Sequence, residues 1–501
     1  MRRCAALAVF PLSLACAQAS TNPPAPSARI VIDGDFTDWQ ASPILISNED
    51  VPGAKYLDLR EVRGHADGAR LHLMVVLGEV TNLQAMNGTL RLSLDGDGDS
   101  KTGEEMAGLA GAEVLVDFSY LTDAGSRQGI MVRFAGDSSY RTSYDVHLEY
   151  APTHASDRFE IRLRREPGGT LGGRRMRGRL VAIDANNQVV DALGPFELDA
   201  PQAAERSAPA SRELLTRWPG TDLRIVTWNV GSRTPLLTPD PFRRMLGAAS
   251  ADVVLFDELS PAIDVSVLRA LLPAGDEWEI VLGTGGGRQR TAVAGRLPLE
   301  PVPALARVAY PDSLSDLAGL PMVRQMQQDL RSAAQDGIPT TGAVVTVQGR
   351  RILMVPLDLM CCGALGAAED RARIMTAIAM QRAVREAIRA HALDGVIIGG
   401  DLNLVGSRTP LDVLLQGLDP AGGDLEPVGA ASPDGESVST WRSPGPFPPG
   451  RLDWILISPS ILEVVSAFVF TGDALEAVGL VPNDAEVTDH SPVVADLRLK
   501  R

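Results

Sequence analysis

Short apolar runs separated by Gly, Asp and Asn turns fill residues 29–199: ARIVI, RLHLMVVL, TLRLSL, AEVLVDF, GIMVRFA, DVHLEYA, RFEIRLRR and RGRLVAID. They alternate in part between apolar and polar positions, the period of a strand with one buried face. Many short strands with no helical period between them predict an all-β sandwich. From residue 222 the texture changes. Continuous apolar runs (LRIVTWNV, DVVLFDEL, WEIVLG, TAVAGR, GAVVTV, RILMVPLDL, GVIIGGDLN, RLDWILIS and SPVVADLRL) alternate with helical stretches. The clearest of these runs from Ala367 to Ala392, with apolar residues at helical spacing. Buried strands alternating with helices predict an α/β domain.

The chain opens MRRCAALAVFPLSLACAQAS: two Arg, an apolar run from Cys4 to Ala15, then small residues. That is the pattern of a secretory signal, too short to span a bilayer and interrupted by Pro11. Cleavage is expected after Ala19. Cys16, after Ser13-Leu14-Ala15, leaves a lipid-anchored form open, so the expected location is secreted or periplasmic, free or anchored. Two stretches rich in Pro, Ala and Ser punctuate the rest. The expected organisation is a signal peptide at 1–19, a leader at 20–28, the β-sandwich at 29–199, a linker at 200–221 and the α/β domain at 222–501. No other apolar run approaches the ~18 residues a membrane helix needs. Cleavage would leave Cys361 and Cys362 as the remaining cysteines; free thiols and a vicinal disulfide both stand as readings.

Composition narrows the partners. Of 501 residues, 47 are Lys or Arg and 63 are Asp or Glu, for a net charge of −16. Such a surface argues against non-specific nucleic-acid binding through overall charge. It does not exclude an enzyme that meets phosphate esters through a cation, since the ion then supplies the positive charge.

Two loops stand out in the N-terminal region: IDGDFTDW, Ile32 to Trp39, and LDGDGDSKTG, Leu94 to Gly103. Asp95, Asp97 and Asp99 alternate in the second, a spacing that can converge on a hard cation such as Ca²⁺ or simply make a solvated hairpin turn. Met106 stands where an EF-hand would carry its Glu. With Gly111-Ala112-Glu113 following, these segments resemble the carbohydrate-binding family 9 β-sandwiches. The resemblance implies a sandwich able to hold Ca²⁺ and to bind a glycan. Trp39 then reads either as a sugar-stacking platform or as core.

In the C-terminal region polar groups sit at strand ends: Asn229, Glu258, Asp401 with Asn403, Asp453, and Asp489-His490. An amide, several carboxylates and a His are what cation-assisted hydrolysis needs: carboxylates hold the ion, and an Asp or His handles the proton of water. In order, TWNV, GDLN, RLDWILIS and TDHSPVVADL resemble the endonuclease/exonuclease/phosphatase superfamily. The resemblance implies a four-layer α-β-β-α sandwich of DNase I-like type and a Mg²⁺ (or Mn²⁺) dependent hydrolase. It implies that Asn229, Glu258 and Asp489 hold the metal, that Asp401 positions or deprotonates water, that Asn403 orients phosphate, and that Asp453 pairs with His490. Which of Asp401 and His490 takes the proton stays open. Trp441, in STWRS, falls where relatives carry an aromatic loop near the site.

Two departures from the family pattern matter. Asp257 replaces the usual Gln before Glu258, either tightening metal binding or pointing to the opposite face. Asp358 stands where many relatives have His; an ionised Asp cannot donate a hydrogen bond to phosphate, so it binds a second cation or the contact comes from elsewhere. The function implied is a secreted nuclease or phosphodiesterase acting on nucleic acid, a nucleotide or a phospholipid headgroup. A phosphomonoesterase or sphingomyelinase-like hydrolase is the alternative, and a non-catalytic glycan-binding surface protein is the alternative of another class.

Overall fold

The computed structural model of the chain describes residues 29–48, 57–122, 125–205, 215–275, 277–311, 334–433, 435–471 and 487–501. The expected signal peptide and leader, Cys16 among them, and residues 206–214 of the expected linker lie outside these.

The N-terminal half is β-rich: β1 (Ile44–Ser47), β2 (Leu59–Ala66), β3 (Arg70–Thr81), β4 (Gly88–Asp95), β5 (Glu104–Met106), β6 (Leu109–Ala112), β7 (Val114–Phe118), β8 (Ile130–Phe134), β9 (Arg141–Thr142), β10 (Glu149–Ala151), β11 (Ser156–Arg164), β12 (Arg175–Asp184) and β13 (Val189–Asp199). They pair into a five-stranded sheet, β1-β2-β3-β11-β10, a six-stranded sheet, β13-β12-β4-β7-β8-β9, and a β5-β6 hairpin. The two-residue period decides the packing. From the first sheet, Leu71, Leu73, Val75, Phe159 and Ile161 join a core shared with Leu90, Leu92, Val114, Val116 and Leu180 of the second. The alternate residues of β3 and β11 take the other face. Arg70, His72, Glu160 and Arg162 are buried there too, none more than 7% exposed. The C-terminal half supplies part of that cover: Arg162 Nη1 donates to Glu436 O at 2.6 Å.

Two expectations change in this half, and one of the two readings of Trp39 holds. ARIVI is not a strand; Ile30 and Ile32 pack with Trp39 and Met74, and Ile32 makes a lone bridge to Ser437. Trp39 is core, 1% exposed, with Nε1 donating to Glu160 Oε1 at 2.8 Å. Burial pushes the Glu160 carboxyl up to about 8 against the hydrogen bonds from Gly34 and Trp39. The third expected Ca²⁺ ligand is also different. Asp95 and Asp97 gather with Glu113, not with Asp99. Asp99 Oδ1 accepts the Lys101 N–H of its own turn at 3.0 Å, whereas Glu113, between β6 and β7, comes under the loop and accepts Gly96 N–H at 2.7 Å. Arg177 at 3.2 Å from Asp95 and the Thr102 hydroxyl already partner this group.

The C-terminal half holds β14 (Leu223–Ser232), β15 (Val253–Leu259), β16 (Glu279–Leu282), β17 (Arg290–Gly295), β18 (Leu299–Pro301), β19 (Ala343–Val347), β20 (Arg350–Pro356), β21 (Gly395–Asp401), β22 (Glu426–Pro427), β23 (Asp453–Ile457), β24 (Leu462–Val469) and β25 (Val493–Leu499). Among the described residues its helices include α1 (Thr234–Leu237), α2 (Pro239–Ala249), α3 (Val265–Leu271), α4 (Ala368–His391) and α5 (Thr409–Leu415). Two six-stranded sheets form, β16-β17-β15-β14-β25-β24 and β18-β19-β20-β21-β23-β22. Ile225, Leu255, Val293 and Ala495 of one meet Val345, Met354, Ile397 and Ile455 of the other in a shared core. Outside, Phe242, Leu246 and Leu268 of α2 and α3 cover the first sheet, with Trp228 stacked on Phe242 at 4.8 Å. Met380, Val384, Leu411 and Leu414 of α4 and α5 cover the second. Helices thus lie outside both sheets, in the DNase I-like arrangement. The strand β24 has no counterpart among the predicted runs: it is an edge strand, and its exposed positions blur the apolar pattern.

The ends of the expected linker are packed. Arg165 Nη2 donates to Pro201 O at 2.9 Å and Ala204 N–H to Gly68 O at 2.8 Å on the N-terminal side. On the other side Leu215 enters the α2–α3 core, and Trp218 N–H donates to Asp496 Oδ2 at 2.9 Å.

Within the C-terminal half, β14 and β25 are locked by a buried fork. Arg224 Nε and Nη2 each donate to Asp496 at 2.7 Å, and both side chains are 1% exposed. Removing one partner strands a buried charge, so Asp496→Ala is expected to cost about 3–5 kcal/mol, read as an earlier urea transition. A change under about 1 kcal/mol would mean that water reaches Arg224.

Candidate active site

Strand register assembles the site. Asn229 lies opposite Asp257 across the parallel β14–β15 pair, and Asp401 lies opposite Asp453 across β21–β23. The two pairs belong to different sheets and meet across the gap between them. Asn229 Nδ2 donates to Asp401 Oδ2 at 3.2 Å, and Asp401 N–H to Asp257 Oδ2 at 3.3 Å. So close an approach of the sheets needs glycine at 399, where a Cβ would lie 2.8 Å from Leu255 Cδ1; at Gly400 the crowding is within its own sheet, a Cβ there lying only 1.9 Å from Leu357 O.

Two left-handed residues set which side chains go inside. Glu258 has φ 54° and Asn403 φ 47°, a conformation that costs a non-glycine residue about 1–2 kcal/mol. At Glu258 the strand register slips on both neighbours. Asp257 is therefore wholly buried and Glu258 half-buried. Of the two readings for Asp257, the one that turns it away from the site is not what the chain does.

The carboxylates drawn together are those of Asp257, Asp358 and Asp401, each offering an oxygen within 4.8 Å of the others, all buried. The two residues expected as accessories are thus inner members. Of the expected metal ligands, Asn229 touches the group through Asp401, and the charge of Glu258 bears on both Asp358 and Asp401. Asp489 is held at the rim, its Oδ2 accepting Trp441 Nε1 at 3.0 Å.

Beside this group stands a dyad. His490 Nδ1 lies 2.8 Å from Asp453 Oδ2, which also accepts the Thr440 hydroxyl at 2.6 Å. With Nδ1 committed to a carboxylate, Nε2 is the nitrogen turned toward Asp401, 3.7 Å from its Oδ2. Asn403 spends an amide N–H on Leu359 O at 2.8 Å, and its backbone N–H on Asp401 Oδ1 at 2.9 Å. Thr440 was not foreseen: a lone Thr carries no sequence signal, and only its place next to Trp441 hints at it. Cys361 and Cys362, just after Asp358, keep their thiols, with the two sulfurs 2.6 Å apart. Asp95, Asp97 and Asp99 lie far away in the sequence, on the loop after β4, and take no part.

Electrostatics follows from burial. Desolvation pushes Asp257 and Asp358 well above the usual carboxylate range, and each is raised further by neighbouring carboxylates, Asp358 and Glu258 foremost. Burial takes Asp401 up to about 7; His490 opposes this, while Asp453 and Glu258 add to it. For His490 burial alone would lower the imidazolium, but Asp453 and Asp401 outweigh it and hold it well above its ordinary value. The oxygens fit a hard divalent cation. Asp257 Oδ1 and Asp453 Oδ1 are buried with no protein donor, and the three gathered ligands are all carboxylates, the donor set that suits Mg²⁺ or Mn²⁺.

The family model for the endonuclease/exonuclease/phosphatase family matches residues 226–490. The chain belongs to this family. It is a metal-dependent phosphoric ester hydrolase, and the family expected for residues 222–501 is the one found. Among solved structures it is similar to zebrafish (D. rerio) TDP2 humanised by 14 mutations, at 17% identity over 55% of this chain and 98% of that one, TM-score 0.35. It is similar to the human nocturnin catalytic domain with bound sulfate, at 15% over 57% and 97%, TM-score 0.38. The 3′-5′ exonuclease of Neisseria meningitidis is 18% identical over 55% and 100%, TM-score 0.34. No curated protein sequence matches the hydrolase.

A raised carboxylate pKa means that the folded state holds a proton the unfolded state has lost. The cation-free hydrolase is therefore expected to lose stability as pH rises from about 4 to 7, the window set by Asp401, with His490 adding loss at higher pH. Mn²⁺ should raise the thermal midpoint most at the upper end of that window. Asp358→Asn should raise the cation-free thermal midpoint at pH 7 and shrink the gain from Mn²⁺. An unchanged Mn²⁺ response in that variant would remove Asp358 from the cation site.

Proposed function

We propose that this hydrolase is a secreted, Mg²⁺-dependent phosphodiesterase that acts as a nuclease by attack of water on phosphorus. The observation that carries the reading is the buried Asp257–Asp358–Asp401 group next to the Asp453–His490 dyad. The residues that would hold the cation are Asp257, Asp358 and Asp401, with Glu258, Asn229 and Asp489 around them. When bound, the ion withdraws charge from a phosphoryl oxygen and offsets the repulsion among these carboxylates.

The chain's own groups divide the remaining work. Asp401, which burial raises to about 7 in the cation-free protein, would orient the attacking water beside the ion and take its proton. His490, kept protonated by Asp453, donates from Nε2 to a phosphate oxygen, a role that a neutral imidazole accepting at that atom could not fill. On this assignment Asp401 is the base. Thr440 and Trp441 keep Asp453 and Asp489 in place.

One observation favours a smaller substrate: a net charge of −16 weakens attraction to a long polyanion. A phosphomonoester or a phospholipid headgroup, as in a sphingomyelinase-like enzyme, meets no such penalty. The carbohydrate-binding family 9-like motifs of the N-terminal half support a sandwich of that type. They do not extend the proposal to a glycan, because Trp39 is buried and unable to stack on a sugar.

Hydrolysis of bis-p-nitrophenyl phosphate and nicking of plasmid DNA are expected with Mg²⁺ or Mn²⁺ and none with EDTA. His490→Ala and Asp401→Asn should each lower kcat by about 10²–10⁴-fold. Faster turnover of p-nitrophenyl phosphate or sphingomyelin than of either diester would replace the nuclease reading with the alternative.

A further inference from the structure

The loops that carry the site are gripped from the N-terminal half. Asn82 Oδ1 accepts Leu365 N–H at 2.6 Å and its Nδ2 donates to Val405 O at 2.9 Å, so one amide joins the loop after Asp358 to the loop after Asn403. Thr153 Oγ1 donates to Leu404 O at 2.8 Å, and Ala155 N–H to Gly406 O at 2.7 Å. A third segment, residues 440–446, is held along its length. The Tyr144 hydroxyl accepts Ser443 N–H at 2.9 Å, Ile130 N–H donates to Pro446 O at 2.7 Å, and Arg442 Nη2 donates to Glu149 Oε1 at 3.0 Å.

The inner edge of that third segment holds the site. Thr440 Oγ1 bonds Asp453 Oδ2 at 2.6 Å, Trp441 Nε1 bonds Asp489 Oδ2 at 3.0 Å, and Arg442 N–H donates to Asp489 O at 2.9 Å. Ser491 N–H closes the strap on Thr440 O at 2.7 Å. Glu149 is thus two hydrogen bonds from Asp489, with Arg442 between them. It is 7% exposed and shared by Arg162 and Arg442, which hold its carboxyl low despite burial. A buried carboxylate in a two-armed pair is a stiff anchor, because neither arm moves without stranding charge.

We propose that Glu149, acting through Arg442, is a positioning residue for the hydrolase reaction: the N-terminal half fixes the strap that orients Asp489 and Asp453. This rests on the reading of those two aspartates as site residues. The N-terminal half is then a structural part of the catalytic centre and not an appendage carried beside it.

Arg442→Ala in the full chain tests this. The Arg442 side chain is 46% exposed and Arg162 still neutralises Glu149, so the fold should stand. Expected are a drop in kcat on bis-p-nitrophenyl phosphate of about tenfold with little change in KM, and a thermal midpoint within about 2 °C of the parent. Amide hydrogen exchange should rise at residues 440–446 and 489–491 alone. Arg442→Lys, which keeps the charge, should recover most of the loss. Adding Glu149→Gln to Arg442→Ala should cost less than Glu149→Gln does alone, since the two act through one contact. Parental kcat with parental exchange at 489–491 overturns the proposal, as does a loss of kcat with exchange raised across the whole chain. If the parent hydrolyses no phosphodiester, the function proposed above has failed, and exchange at 489–491 still decides the role of Glu149.

Discussion

The convergence of buried carboxylates where two sheets meet is the constraint on which the catalytic half depends. Asp257, Asp358 and Asp401 are buried together, and like charges there repel more strongly than at a surface. Each feature nearby answers that repulsion. Asn229 Nδ2 and the Asn403 backbone donate to Asp401, the imidazolium of His490 faces it, and unpartnered oxygens on Asp257 and Asp453 leave room for a cation. The same demand explains the backbone. Glycine at 399 lets the two sheets close to hydrogen-bonding distance, glycine at 400 lets β21 pass the chain after β20, and left-handed turns at Glu258 and Asn403 choose which side chains go in. Such conformations persist only where the surroundings over-determine them.

The N-terminal half enters that balance from outside. Its first sheet buries one face against the second sheet in the ordinary way, but its other face carries Arg70, Arg162 and Glu149, charged groups that a free-standing sheet would give to water. They are buried because the catalytic half meets them. Glu436, from the catalytic half, lies within ion-pair distance of Arg29, Arg70 and Arg162, and Glu149 answers with Arg442. An interface built from reciprocal ion pairs sets orientation as well as adhesion, since each pair is satisfied in one relative placement of the two halves.

Much of this architecture was legible in the primary structure. Two-residue alternation announced β3, β4, β7, β8, β10, β11 and β12 but not β1, β2 or β13, and helical spacing placed α4 within one residue at each end. Where the pattern failed, the cause was local. ARIVI reads as a strand, yet it is apolar because it covers Trp39. The edge strand β24 was missed because half-exposed positions blur its period. Asp99 looked like a third ligand by spacing, but its carboxylate caps its own turn, and Glu113 arrives from the bend between β6 and β7.

For the site, the sequence by itself determined the identities and their order along the chain: Asn229, Glu258, Asp401, Asn403, Asp453, Asp489 and His490 all come to one end of the two sheets. It marked Asp257 and Asp358 as expected accessories beside that set. Tertiary structure alone decided that these two lie innermost, that Asp453 shares its oxygen between His490 and Thr440, and that Glu149 and Asn82 reach the catalytic loops from residues far away in sequence. The physical reason is that spacing along a chain specifies which face of an element a residue occupies. Whether a face looks onto solvent, a second sheet or another half of the molecule depends on how the elements stack, and burial and charge follow from that stacking.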